Sequence, residues 1–137
     1  MKGAKPSELK VIQGGIVDAP PPPKHLPKEV HTEWNIVTTD LAGRKLLAES
    51  TLGVIETYCF ARYQILECQK AIQQLGLFVR NKDGVPKPNP ANSTLQKAQE
   101  MVARLAVELG LTPSSRARKG LSGPVKDDDD GMDEFIG

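Results

Sequence analysis

The sequence predicts a mainly α fold: an antiparallel helix pair joined by a short β-hairpin-like loop, preceded by a shorter helix and flanked by disordered termini. Three observations carry this. Apolar residues recur at helical spacing in three stretches, 28–41, 49–75 and 91–109. Between the last two lies a segment of strand and turn chemistry, 77–88. Both ends lack a periodic apolar pattern and are rich in Gly, Pro and charge. The expected organisation is a basic, Pro-rich arm at 1–27, a helical core at 28–119 and an acidic tail at 120–137.

Each element follows from local signals. Gly14-Gly15 breaks any helix, and Pro20 to Pro23 impose polyproline II. Pro27 sets the start of the first helix, whose apolar face is Val30, Trp34, Val37 and Leu41. Thr38 and Thr39 weaken that helix, and Gly43 is expected to end it. In the long second helix Leu52, Cys59 and Leu66 repeat every seven residues, as do Tyr58, Ile65 and Ile72. With Ile55 they form a wide apolar stripe, and Gly76 is a natural terminator. Leu77-Phe78-Val79 reads as strand and Asn81-Lys82-Asp83-Gly84 as turn, while Pro86, Pro88 and Pro90 confine any second strand to an edge. The third helix carries Leu95, Ala98, Val102, Leu105 and Leu109 as a heptad seam, suited to packing on the second helix or on another subunit. Gly110 suits a left-handed turn after it, and Thr112 with Pro113 suits the cap and first turn of a new, short, basic helix.

Composition narrows the function. Three Phe, two Tyr and one Trp in 137 residues leave a small aliphatic core, the kind that gains stability by oligomerising. No run of eighteen apolar residues exists to span a membrane, and Met1 to Lys10 lack the apolar stretch of a signal peptide. Cys59 and Cys68 sit roughly 13 Å apart along one helix, too far for a disulfide, which points to reduced thiols and the cytosol. No His or Cys cluster has metal-ligand spacing, so neither metal nor other cofactor is expected. No phosphate loop, G-x-S-x-G elbow or H-E-x-x-H pair occurs. His25 and His31 lie near Glu33 and Trp34 without a pocket to organise them, and read as surface histidines. Asp127 to Asp130 are consecutive and cannot converge on one ion, so they read as a solvated acidic run. No enzyme is expected.

Charge is segregated along the chain. Residues 1–30 carry a net +2, residues 110–126 a net +4, and residues 127–137 a net −6. Phosphate contacts are expected from Lys2, Lys5, Lys10, Lys24 and Lys28 in the arm, from Arg44 and Lys45 at the first helical turn, and from Arg116, Arg118 and Lys119 at the last. The last group serves equally well to complement a helix dipole or an acidic neighbour. Met132, Phe135 and Ile136, set among acids, are the anchors of a segment that docks on a basic groove of a partner. Residues 28–41, the turn at Gly43-Arg44-Lys45 and the next helix loosely fit a helix-turn-helix, but the second helix is too long for a recognition helix and reads as core.

The order of motifs resembles one group of tailed-phage terminase small subunits. It runs through Gly3-Ala4-Lys5-Pro6, Leu9-Lys10 and Gly14, then Pro22-Pro23-Lys24-His25-Leu26 and Glu33-Trp34. It continues with Tyr58-Cys59, Gly76, Asn89-Pro90 and Gly110-Leu111-Thr112-Pro113-Ser114-Ser115-Arg116, the most specific element. The resemblance covers about residues 3–119. Ala48 and Thr51 depart from it, standing where a Thr or Ser and an Asp are usual, which moves the expected start of the long helix to Ser50. The resemblance implies a non-enzymatic protein that forms a ring-like homo-oligomer, recognises double-stranded viral DNA and recruits the large terminase subunit, the ATPase and nuclease. It implies action in the cytoplasm of the infected bacterium, outside the mature virion. The expected subunit interface is Leu52, Ile55, Cys59, Leu66, Leu95, Val102, Leu105 and Leu109. Two other readings stand beside it: a small DNA-binding regulator acting as a dimer on a short operator, and a structural adaptor that binds protein alone.

Overall fold

A computed structural model describes residues 15–115. A single 3-10 turn (Lys28–Val30) leads into α1 (His31–Gly43), followed by α2 (Glu49–Leu75), β1 (Phe78–Arg80), β2 (Pro86–Pro88) and α3 (Ala91–Glu108). The mainly helical architecture with a small antiparallel sheet between two helices is therefore the one expected.

The chain meets α1 differently from the sequence expectation. From Gly15 the Pro-rich segment lies on the core: the Ile16 amide donates to the Leu47 carbonyl (2.7 Å) and the Trp34 indole N–H to the Pro20 carbonyl (2.9 Å). Pro27 lacks an N–H but its carbonyl accepts from Val30 at 3.1 Å, closing the 3-10 turn and delaying the α-helix to His31. The His31 ring, in its Nε2–H tautomer, donates to the Leu26 carbonyl at 2.7 Å. His31 is thus a structural strut of this turn.

Gly43 does not end α1 by a left-handed turn; it is the last helical residue. The reversal falls two positions later at Lys45, with φ of 62°. There Leu46 N–H reaches the Leu41 carbonyl (2.8 Å) and Lys45 N–H the Ala42 carbonyl (3.0 Å), a complete Schellman motif without glycine. Helix α2 starts at Glu49, one residue before the expected Ser50 and with no side-chain cap. Extended Ala48 instead offers its carbonyl to Thr51 N–H at 2.9 Å. Gly76, at φ of 86°, terminates α2 as expected.

The ribbon pairs Phe78 with Pro88, Val79 with Lys87 and Arg80 with Pro86. The flanking bonds from Asn89 N–H to Leu77 (2.8 Å) and Asn81 N–H to Val85 (3.0 Å) make 77/89, 79/87 and 81/85 the hydrogen-bonded pairs. Pro86 and Pro88 therefore occupy positions whose amides would point away from β1. They cost the ribbon no hydrogen bond and blunt the outer edge of β2. The turn is held by Asn81, whose Oδ1 accepts from the amides of Asp83 and Val85, both at 2.9 Å. Buried Asn89 ties the hairpin to both helices: Nδ2 donates to the Gly76 carbonyl and Oδ1 accepts from Ala91 N–H, each at 2.9 Å.

The core sits at one end. Val30, Trp34, Val37 and Leu41 are buried against Leu47, Ile55, Tyr58 and Cys59 of the next segment and Leu105 and Leu109 of α3. Beyond the Glu33–Arg62 contact, α1 no longer covers the pair. There α2 and α3 meet through the small buried residues Ala61, Cys68 and Ala98, with Ile65, Ile72, Leu95 and Val102 half-buried. The molecule is thus three helices thick at one end and two helices plus a ribbon at the other.

Past Glu108, Gly110 takes φ of 69° while Leu111 N–H bonds the Ala106 carbonyl (2.8 Å) and Gly110 N–H the Val107 carbonyl (3.0 Å). The chain is helical again at 113–115. Ser115 N–H donates to Thr112 Oγ1 at 3.2 Å, the cap expected of Thr112. Ser115 is fully buried, and its own Oγ donates to the Thr112 carbonyl at 2.9 Å.

Candidate interaction surfaces

The expected DNA-contacting residues part company in the structure. Lys24, Lys28 and Lys45 are exposed. Lys24 and Lys28 precede α1 and Lys45 follows it, so a helix of about 20 Å separates them and they form no single patch. Arg44 is a correction. Its side chain is 9% exposed and its guanidinium pairs with Asp40 one turn earlier, so it braces the end of α1 and does not face a phosphate. Lys2, Lys5, Lys10, Arg116, Arg118 and Lys119 lie outside the described residues, as do Met132, Phe135 and Ile136. The outer face of α1 presents Thr32, Asn35, Ile36 and Thr39, without a basic residue. The exposed face of the first half of α2, Ser50, Gly53, Thr57 and Phe60, also lacks a basic residue. The helix-turn-helix reading has no support in this packing.

The eight residues expected at a subunit interface divide the same way. Ile55 and Cys59 are 0% exposed within the single chain, and Leu105 and Leu109 are buried with them. Their apolar surface is already spent on α1, so they have none to offer a neighbour. Leu52, Leu95 and Val102 are half-buried, and Leu66 is exposed. Further exposed apolar residues went unassigned at the sequence level: Phe60 on α2, and Leu75, Leu77, Phe78 and Val85 around the hairpin.

A polar cluster lies where α1 crosses α2. Tyr58 OH donates to Glu33 Oε2 at 3.4 Å, and Arg62 Nε stands 4.0 Å from Glu33 Oε1. Burial, reinforced by the Glu33 carboxylate, raises the Tyr58 hydroxyl above its ordinary range. Burial and the same carboxylate push the Cys59 thiol up to about 12. A thiol so protonated is no nucleophile at neutral pH. Both cysteines are free and buried. His25 pairs with Glu56 on the surface, and the shallow hollow beside them is lined by Leu26, Gly53, Thr57 and Phe60, with no further titratable group. Among the described residues no group of three His, Cys, Asp or Glu side chains is placed to hold a metal, and no helix is long and apolar enough to cross a membrane.

Comparison with known proteins places this geometry. The family described as "Phage terminase, small subunit" matches residues 31–124, from the first residue of α1 past the end of α3. The chain belongs to this family of phage terminase small subunits, and its role lies in phage DNA packaging. The matched region includes the Glu33-Trp34, Tyr58-Cys59 and Asn89-Pro90 pairs, and the Gly3 to Leu26 motifs precede it. No curated protein and no solved structure matches the chain.

Proposed function

We propose that this chain is the non-catalytic terminase subunit that recognises viral DNA and brings the large subunit, the ATPase and nuclease, to it. It works as a homo-oligomer in the cytoplasm of the infected cell. The family match across all three helices carries this reading. The exposed Leu66, with half-buried Leu52, Leu95 and Val102, supplies the apolar surface for self-association, since a two-helix layer cannot bury both its faces alone. DNA is held by Lys24, Lys28 and Lys45 together with Lys2, Lys5, Lys10, Arg116, Arg118 and Lys119. These dispersed charges are individually weak and gain avidity when repeated around an assembly. The large subunit is engaged by Met132, Phe135 and Ile136.

Solution mass by light scattering, with and without phage DNA at two salt concentrations, tests the reading. A closed oligomer whose DNA binding weakens at high salt is the expected result. A monomer or dimer without DNA affinity overturns it.

A further inference from the structure

The hairpin end of the molecule carries an apolar surface that the fold leaves uncovered. Leu75, Leu77, Phe78 and Val85 are 62%, 58%, 64% and 48% exposed. Leu77 and Val85 share one face of the ribbon with half-buried Val79, and Phe78 lies on the other, so apolar side chains stand uncovered on both faces. Arg80, Lys82 and Lys87 stand among them, and Asp83 is the one acid between Leu75 and Asn89. Lys87, opposite Val79, lies on the face of Leu77 and Val85, and Arg80 lies on the face of Phe78, so each face combines a cation with apolar groups. Neither Lys82 nor Lys87 takes part in an ion pair among the described residues. The chemistry that fits is a segment offering apolar side chains together with an excess of negative charge.

This chain contains such a segment. Residues 127–137 hold six acids, no base, and Met132, Phe135 and Ile136. The reach is sufficient. Ser115, the last described residue, lies beyond the end of α3 farther from the hairpin, and the 18 residues of α3 span about 27 Å. The nineteen residues 116–134 that precede Phe135 extend to about 63 Å. A segment tethered at that length samples its own hairpin at an effective concentration on the order of millimolar, which lets a weak contact persist.

We propose that the acidic C-terminal segment, residues 127–137, seats on the hairpin of its own chain. Phe135 and Ile136 cover Leu77 and Val85 on the face that carries Lys87, and the aspartates lie beside Lys82 and Lys87. This inference stands on the patch, its charge and the tether length, and does not depend on the packaging role.

Zero-length carbodiimide coupling of the full chain, with products mapped by peptide mass spectrometry, tests it. The expected products join Lys82 or Lys87 to carboxylates within 127–134. Their yield falls roughly fivefold or more when Phe135→Ala and Ile136→Ala are combined, because the apolar seat is lost, and it falls again at high salt. The Lys70 to Glu67 product, from a pair 3.2 Å apart within α2, serves as internal control. Control product without any tail-to-hairpin product overturns the proposal, as does a yield indifferent to the double substitution. Heavy-isotope and unlabelled chains mixed in denaturant and refolded together separate the remaining outcomes. Products within single chains support the proposal, and isotopically mixed products at the statistical level put the segment on a second copy and overturn it.

Discussion

The indole N–H of Trp34 donates to the carbonyl oxygen of Pro20, 2.9 Å away, and thereby fastens the Pro-rich segment across α1. Trp34 is also 2% exposed, so it fills the core while its one polar atom holds the strap. Trp34→Phe removes the bond and keeps most of the apolar volume, and is expected to cost about 1 kcal/mol. Trp34→Ala adds a cavity and is expected to cost about 3 to 5 kcal/mol. Urea unfolding followed by circular dichroism reads both, since the chain has no other Trp for fluorescence.

Lys45 occupies a left-handed conformation that favours glycine, and Gly43 occupies a helical one that favours alanine. A Cβ at Gly43 meets nothing within 4 Å. Gly43→Ala is expected to raise stability by about 0.5 to 1 kcal/mol. Lys45→Gly trades relief of strain against a floppier unfolded chain and gains at most about 1 kcal/mol. A fall in thermal midpoint for Gly43→Ala contradicts the turn geometry.

Arg44 and its basic neighbours are separable by salt dependence. Lys24→Gln, Lys28→Gln and Lys45→Gln are each expected to lower the slope of log affinity against log salt by about 0.9 where the residue meets a phosphate. Arg44→Gln leaves that slope unchanged and destabilises the fold by about 1 to 2 kcal/mol through loss of the Asp40 contact. A slope change with unaltered stability in Arg44→Gln restores it to the DNA surface.

Cys59 makes stability fall in alkali. Its thiol titrates near 9.0 when unfolded and at about 12 in the fold. Its contribution is therefore full below pH 9 and is lost as pH rises toward 12, because the unfolded chain releases a proton that the folded chain keeps. The raised Tyr58 hydroxyl acts in the same direction from 10.0. Denaturation midpoints across this range should decline more steeply in the wild type than in Cys59→Ala. Parallel declines remove the thiol from the account.

Deleting residues 127–137 is expected to weaken binding of the large subunit and leave the mass of the assembly unchanged. Leu66→Glu, at an exposed site on the two-helix layer, does the reverse and lowers the mass. Pull-down with the large subunit, paired with light scattering, distinguishes the two. A deletion that leaves binding intact removes Met132, Phe135 and Ile136 from that interface.

What could be read from the sequence was what local signals determine. The Val30–Leu41 face, the Gly76 stop and the Gly110–Thr112 stop and restart all have residue-level causes, and the structure repeats them. Lys45 was not legible as a helix terminator, because the left-handed turn there rests on tertiary packing and not on a permissive residue. Arg44 beside a turn reads the same whether it faces a phosphate or Asp40. The interface expectation went astray on Ile55 and Cys59 for a related reason. Periodicity says which side chains seek burial, but not which neighbour buries them, and α1 took the place assigned to a second subunit. The bare hairpin patch was missed because Leu77-Phe78-Val79 looks the same with or without cover.

The taper of the molecule has a geometric consequence. Bodies broader at one end than the other, set flank to flank by a repeated contact, turn by a fixed angle at each step, as voussoirs do in an arch. A straight row would leave a gap at every narrow end. Under the proposed self-association, the short α1, whose first turn lies beside Tyr58 and Arg62, sets that angle.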